Sequence, residues 1–203
     1  MNSKILILLL LSLNLTGKLF AGDLSLSLGL NQSWLVYPDY PKLDYYFNSG
    51  FSIGINYNQR IVNHLNMTIG LELFNIRQIN YESMEEAKVN HVYLSVPFRM
   101  EYEMFKNLYP FANIQPGILV NTSASKNPYN PREMETVNDE MNLFNVFVGG
   151  GIKYFFHGKK LSTSVLINYG LLRIPKKEAD VNWQWVDWRG REMVLNIEYY
   201  LSI

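Results

Sequence analysis

Apolar and polar residues alternate along eight stretches of the chain. In the stretch VYLSVPFRMEYEMF, Val92, Leu94 and Phe98 fall on one side, whereas Arg99 and Glu101 fall on the other. A period of two residues is that of a β-strand with one apolar and one polar face. The same pattern predicts strands over residues 24–36, 51–58, 65–73, 92–105, 109–121, 144–156, 162–171 and 192–203.

The predicted connections between these strands are alternately long and short. In an up-and-down sheet the long ones would all meet at one end and the short ones at the other. Outer-membrane barrels show this asymmetry because their periplasmic turns are tight and their extracellular loops are long. The predicted connections cover residues 37–50, 60–64, 80–90, 105–108, 122–142, 157–160 and 175–191.

The polar faces consist mainly of small side chains, and Lys153 is the only lysine within a regular strand. Water accepts long charged side chains, whereas the interior of an eight-stranded barrel is just wide enough to be filled by side chains. The pattern therefore predicts an all-β fold, an eight-stranded antiparallel up-and-down transmembrane β-barrel with a polar lumen. A soluble barrel of the lipocalin type is the alternative, but Gln32 stands two residues before Trp34, where that class has glycine.

Pro97, Pro110 and Pro116 fall in neighbouring predicted strands. Proline has no N–H group to donate to a β-ladder, and a closed barrel has no edge strand on which to place it. We therefore expect bulges or local gaps in the pairing at these prolines.

Residues 1–21 form a predicted secretory signal peptide, because Lys4 precedes the apolar run 5–13 and Ala21 ends the segment. The run is too short to span a bilayer, which needs about 20 apolar residues. The barrel is expected over residues 22–203, whose net charge of about −2 indicates no nucleic-acid partner. The absence of cysteine excludes disulfides and thiolate metal sites, and we expect no cofactor.

The run from Tyr93 to Asn121, YLSVPFRMEYEMFKNLYPFANIQPGILVN, resembles the PorT-like outer-membrane β-barrel proteins of Bacteroidota. That family has a Tyr-Leu-x-Ile-Pro strand, a short turn and a Pro-Tyr-x-x-x-Gly-Pro strand, and Gln115 replaces the glycine here. The resemblance implies an outer-membrane barrel that serves a larger envelope machine, with protein secretion as the expected process. The matching positions are Tyr93, Leu94, Val96, Pro97, Pro110, Phe111 and Pro116.

Six charged residues fall on the predicted lumen face. Charges in a low-dielectric interior must be paired or neutralised. We interpret the six as a salt-bridged filling of the lumen, with a proton or ion path as the alternative. Glu103 adjoins a short turn and is expected to lie close to periplasmic water. The six residues are Glu72, Arg99, Glu101, Glu103, Lys153 and Glu198.

We expect that the protein is not an enzyme. His91 lies on the predicted lumen face, and lipid A deacylases on eight-stranded barrels use a His-x-Ser pair in which the histidine activates the serine. In this chain Tyr93 stands at the serine position, and Ser95 lies two residues further on. An outer-membrane lipid hydrolase is the alternative from a different functional class.

Aromatic residues cluster in the first and last predicted loops. They suit an interfacial girdle at the membrane boundary, and they also suit contacts with a protein or a glycan. A partner-binding accessory and a surface adhesin therefore both stay open. The expected location is the bacterial outer membrane, with outer-membrane lipid, lipopolysaccharide and a larger envelope complex as partners. The aromatic residues are Tyr37, Tyr40, Tyr45, Tyr46, Trp183, Trp185 and Trp188.

Overall fold

The computed structural model describes residues 22–36, 48–82, 85–125, 134–136, 141–156, 159–172 and 189–201. No helix within these ranges is long and apolar enough to cross a membrane. The strands are β1 (Gly22–Val36), β2 (Asn48–Val62), β3 (Leu65–Glu82), β4 (Glu85–Ser95), β5 (Phe98–Tyr102), β6 (Leu108–Ser125), β7 (Met134–Thr136), β8 (Phe144–Phe155), β9 (Leu161–Gly170) and β10 (Arg189–Leu201).

The strands close into a single antiparallel barrel. Neighbours in the chain pair with one another, and β1 closes the circle by pairing with β10 along its length. β4 and β5 are two halves of one barrel strand, and the short β7 only extends the sheet beside the end of β6. The barrel therefore has eight strands, which confirms the predicted fold class.

The two ends of the barrel differ. Gly22 and Leu201 lie at one end, here called the termini end, where short connections also join β2 to β3, β5 to β6 and β8 to β9. The connections from β1 to β2, from β6 to β8 and from β9 to β10 leave from the opposite end, called the loop end.

The bulky apolar residues of the barrel strands point outward. In β1, Leu28 and Leu30 are 62% and 70% exposed, whereas Ser27 and Asn31 are buried. This arrangement follows from size, because small polar groups fit the narrow lumen and large aliphatic groups do not. An apolar coat that runs around the whole wall is unfavourable in water and is stable in lipid.

Pro97 interrupts the strand that the alternation predicts over residues 92–105, which confirms the gap expected at this proline. β4 ends before this proline and β5 begins directly after it. Across the gap, the Val96 N–H group donates to the carbonyl oxygen of Pro116 at 2.9 Å. Pro110, in contrast, stays within β6 and in register with β8. The expected gap therefore occurs where Pro97 and Pro116 meet between β4, β5 and β6, and it does not occur at Pro110.

A bulge in β6 changes which residues face the lumen. Asn121 pairs with Val92 and Leu119 pairs with Tyr93, so Val120 is an extra residue in the ladder. Such an insertion shifts the alternation by one position. As a result Thr122 is buried in the lumen, where strict alternation predicts Asn121.

The predicted connection over residues 80–90 is wrong, because β3 and β4 stay paired up to residues 83–84. β3 parts from β2 above Phe74, and residues 75–82 then pair, among the described strands, with β4 alone. We call residues 77–82 and 85–90, beyond the buried Ile76 and His91, the β3–β4 extension. At about 3.3 Å per residue, it continues roughly 25 Å beyond the parting of β2 and β3.

Gly149 and Gly151 allow β9 to approach β8 closely. A Cβ atom on Gly149 would lie 2.0 Å from the Ile167 carbonyl oxygen. A Cβ atom on Gly151 would lie 2.0 Å from the Val165 carbonyl oxygen and 2.7 Å from the Phe111 ring. Glycine at these two positions is therefore explained by the close approach of the β9 backbone.

Gly151→Ala should destabilise the barrel by about 1–3 kcal/mol, the usual cost of overpacking, because the new methyl group displaces β9 backbone. Urea unfolding of the protein refolded into lipid vesicles measures this loss. Gly150→Ala is the matched control, since its Cβ atom would meet only the Phe111 carbonyl oxygen, at 3.2 Å. Equal losses in the two variants would contradict the assigned cause.

Candidate functional site: the charged lumen

Ion pairs fill the middle of the lumen. Arg99 Nη1 donates to Glu198 Oε1 at 2.7 Å, and Arg99 Nη2 lies 3.6 Å from Glu72 Oε2. Lys153 Nζ lies 3.0 Å from Glu198 Oε2 and also pairs with Glu101. We call these five residues the lumen charge network, and all five are buried.

Glu198 is the centre of the network, because each of its oxygens contacts a different cation. Its Oε2 atom also accepts a hydrogen bond from the Tyr200 hydroxyl at 2.8 Å. Glu101 accepts a further hydrogen bond from Thr68 Oγ1 at 3.1 Å. Three carboxylates thus share two cations and several neutral donors, as charges in a low-dielectric interior require.

The β-alternation places these side chains in the lumen and the closure of the barrel brings them together. Arg99 and Glu101 are two residues apart in β5, while Lys153, Glu198 and Glu72 come from β8, β10 and β3. β5 and β10 are not neighbours in the sheet, so the pair between Arg99 and Glu198 crosses the lumen. The network therefore braces opposite walls of the barrel.

Glu103, the sixth predicted lumen charge, lies apart from the network at the termini end. Its side chain is 20% exposed and contacts Arg60 at 3.5 Å, His64 at 3.9 Å and Lys159 at 3.9 Å. It lies on the inward side of the wall, between the outward-facing Tyr102 and Met104, and its partial exposure agrees with the expected position close to water.

A layer of amides with one carboxylate lies next to the charge network, and the sequence analysis did not single it out. Glu192 Oε1 accepts a hydrogen bond from Asn168 Nδ2 at 2.9 Å, and Glu192 Oε2 lies 3.4 Å from Asn31 Nδ2. Asn113 and Gln115 extend the layer through hydrogen bonds to Asn168. Glu192 could have been identified from the sequence, because it stands between Arg191 and Met193 on the polar face of the last predicted strand.

Three aromatic rings form a second closure towards the loop end. Phe147 meets Phe74 and Tyr93 edge to face, with ring centroids 5.2 Å and 5.4 Å apart. Phe74 and Tyr93 stack on each other at 5.4 Å. We call these three residues the aromatic layer, and each is at most 1% exposed. Sequence alternation places Tyr93 inside, but it does not show that three rings from different strands meet.

His91 is fully buried in β4, with Nδ1 3.0 Å from Thr122 Oγ1. It therefore lies inside the barrel and away from the lipid-facing wall. Within the described ranges, no group of three or more His, Asp or Glu side chains is placed to hold a metal ion.

The aromatic residues predicted as extracellular contacts lie outside the described residues. They are Tyr37, Tyr40, Tyr45, Tyr46, Trp183, Trp185 and Trp188.

A cavity of about 180 Å³ opens at the termini end and stops at the charge network. Tyr109, Phe155 and Tyr200 form one wall, with ring centroids 5.0 Å and 5.2 Å apart. Glu101 lies at the inner limit of the cavity and Lys159 lies at its mouth. The lumen is thus open to water at one end and filled further in.

Solved outer-membrane barrels share this fold. The attachment invasion locus protein Ail of Yersinia pestis is 15% identical, over 89% of this chain and 99% of that one, with a TM-score of 0.53. Neisserial surface protein A is 11% identical, over 87% of this chain and 96% of that one, with a TM-score of 0.54. A second structure of Ail, in complex with the heparin analogue sucrose octasulfate, gives 15% identity, 89% and 99% coverage, and a TM-score of 0.52.

No curated protein matches the chain. Residues 20–174, however, match a protein family described as the outer membrane protein beta-barrel domain. Such a domain is expected to have an apolar coat, a filled lumen and a closed barrel of eight strands, as this protein has. The protein is located in the bacterial outer membrane. The chain belongs to the outer membrane protein beta-barrel domain family.

Proposed function

We propose that this chain is a small, non-enzymatic outer-membrane barrel that acts as an accessory or partner-binding component of an envelope machine. The observation that carries the proposal is the lumen charge network, which braces opposite walls through the pair between Arg99 and Glu198. A braced, filled barrel suits a rigid anchor and leaves no room for a solute path. Contacts with a partner then fall to the parts beyond the membrane.

The β3–β4 extension is the described element that best fits such contacts. It is paired as a regular hairpin up to residues 83–84, and an ordered hairpin costs less entropy on binding than a flexible loop. Protein secretion is the process that we propose, supported by the PorT-like resemblance of the run from Tyr93 to Asn121.

The filled lumen predicts that the protein does not conduct ions. In planar bilayers, the full chain should give no steady conductance step, because two separate layers of buried side chains cross the lumen. A stable conductance of the wild-type protein would contradict the anchor role and favour an ion path.

Shortening the β3–β4 extension should abolish partner binding while the barrel still assembles. A variant in which residues 78–87 are replaced by a two-residue turn keeps the pairing inside the barrel. Cross-linking in detergent-solubilised outer membranes, followed by identification of the bound protein, compares it with the wild type. The Lys106→Gln variant, changed at the opposite end, is the control that should retain the partner. Equal capture by all three proteins would contradict the role of the extension.

Two alternatives can be tested with the same material. Ail, a barrel of the same fold, has been solved with a heparin analogue. Binding of heparin by this chain would favour an adhesin.

His91→Gln should leave the acyl composition of lipopolysaccharide unchanged, since the imidazole is buried against Thr122. A change in acylation would favour a lipid hydrolase.

A further inference from the structure

The outer wall of the barrel carries a hollow of about 440 Å³ at the turn between β2 and β3. Val62, Leu65 and Tyr102 form its apolar part, and Asn63 and His64 lie at its edge towards the termini end. Val62 is 60% exposed and Tyr102 is 53% exposed, as expected for lipid-facing residues at the end of the apolar coat. The hollow therefore lies where the lipid chains of the periplasmic leaflet meet their headgroups.

Positive charge is in excess beside this hollow. Glu103 is shared by Arg60, His64 and Lys159, with nitrogen–oxygen distances between 3.5 Å and 3.9 Å. Arg60 also donates to the Asn63 carbonyl oxygen, which holds its guanidinium over the turn. Asp23 lies at the mouth of the lumen cavity but makes no ion pair with Arg60 or Lys159 among the described contacts. The ion pairs of the cluster therefore join one carboxylate to an arginine and a lysine, which leaves a positive charge even with a neutral histidine.

Arg60 and Lys159 are well placed to meet an anion that arrives from the membrane. Both side chains are mostly exposed, at 60% and 58%, and both also line the mouth of the lumen cavity. A guanidinium binds phosphate through two parallel hydrogen bonds, and its alkyl stem can lie along an apolar surface. The apolar hollow lies beside Arg60, whose guanidinium donates to the Asn63 carbonyl oxygen at its edge, and it offers a place for an acyl chain.

We propose that this hollow binds an anionic phospholipid of the periplasmic leaflet. The phosphate of the headgroup is held by Arg60 and Lys159, with His64 as a further donor, and one acyl chain lies against Leu65 and Tyr102. This site fixes the barrel at a defined depth and rotation in the leaflet. Such an anchor is independent of any partner at the loop end.

Lipid retention tests the proposal directly. The purified full chain is equilibrated in micelles with equal amounts of phosphatidylglycerol and phosphatidylcholine, and retained lipids are counted by native mass spectrometry. The wild type should retain phosphatidylglycerol over phosphatidylcholine by at least about fivefold, which is a modest difference in binding free energy. The double variant Arg60→Gln/Lys159→Gln should retain the two lipids nearly equally.

The double variant Lys106→Gln/Lys160→Gln is the matched control. It removes the same charge from exposed lysines at the same end of the barrel, but neither residue is among the described ion pairs of Glu103. It should keep the wild-type preference. Equal loss of preference in both double variants would overturn the site in favour of diffuse attraction.

Glu103→Gln keeps the proposal testable if the Arg60 variant fails to fold. Removing the carboxylate frees the cations, so retention of phosphatidylglycerol should rise above that of the wild type. Three results would overturn the proposal: no preference in the wild type, no rise in Glu103→Gln, or displacement of the lipid by soluble glycerol phosphate, which would identify a site for free anions.

Discussion

Lys153→Met should destabilise the barrel by about 3–5 kcal/mol, the cost of breaking a buried ion pair by removing one partner. Lys153 is fully buried and contacts Glu101, Glu198 and the Tyr200 hydroxyl, so the change leaves Glu101 without a cation within the described network. Glu198 remains paired with Arg99, so its burial costs less free energy in this variant. Urea unfolding of the refolded protein in lipid vesicles measures the difference.

Two further variants separate the loss of the ion pair from the loss of packing. Lys153→Met combined with Glu101→Gln removes both charges and should recover much of the lost stability, because a neutral amide costs less to bury than an unpaired carboxylate. Lys106→Met, at an exposed turn position, should change stability by less than about 0.5 kcal/mol. A double variant no more stable than Lys153→Met would show that packing, and not charge, explains the loss.

The alternation of side chains was sufficient to predict the eight strands and the residues of the lumen charge network. It succeeds because a β-strand has only two faces, and Arg99, Glu101 and Lys153 must then share the face of the small polar residues. Their actual pairing depends on closure, which brings Glu198 from the last strand opposite Arg99 from the middle of the chain. The alternation within one strand cannot show that these two residues, which are far apart in the chain, face each other across the barrel.

The errors of the sequence analysis occur where local backbone chemistry overrides the alternation. The extra residue Val120 shifts one strand by one position, and nothing in the alternation indicates it, whereas the split at Pro97 follows from the proline itself. The β3–β4 extension was missed because its sequence, with polar residues such as Asn80 and Lys88, lacks the period-two pattern, while its backbone still pairs.

The aromatic layer depends on contacts between rings from different strands, and these contacts should contribute strongly to stability. Phe147→Ala should destabilise the barrel by about 3–5 kcal/mol, since the lost ring leaves a cavity between Phe74 and Tyr93 that neighbouring strands cannot fill. Phe144→Ala is the matched control on the same strand: it is 49% exposed on the wall, lipid refills its space, and the cost should stay below about 2 kcal/mol. Urea unfolding in vesicles compares the two.

Conductance of the Phe147→Ala variant distinguishes the two closures of the lumen. The charge network lies on the termini side of the aromatic layer and uses none of its residues, so the variant should still give no steady conductance in planar bilayers. Under this arrangement each layer seals the barrel alone, and the aromatic layer contributes stability rather than the only seal. Steady conductance in Phe147→Ala, with the network residues unchanged, would mean that ions pass Arg99 and Lys153 and that the network does not close the lumen.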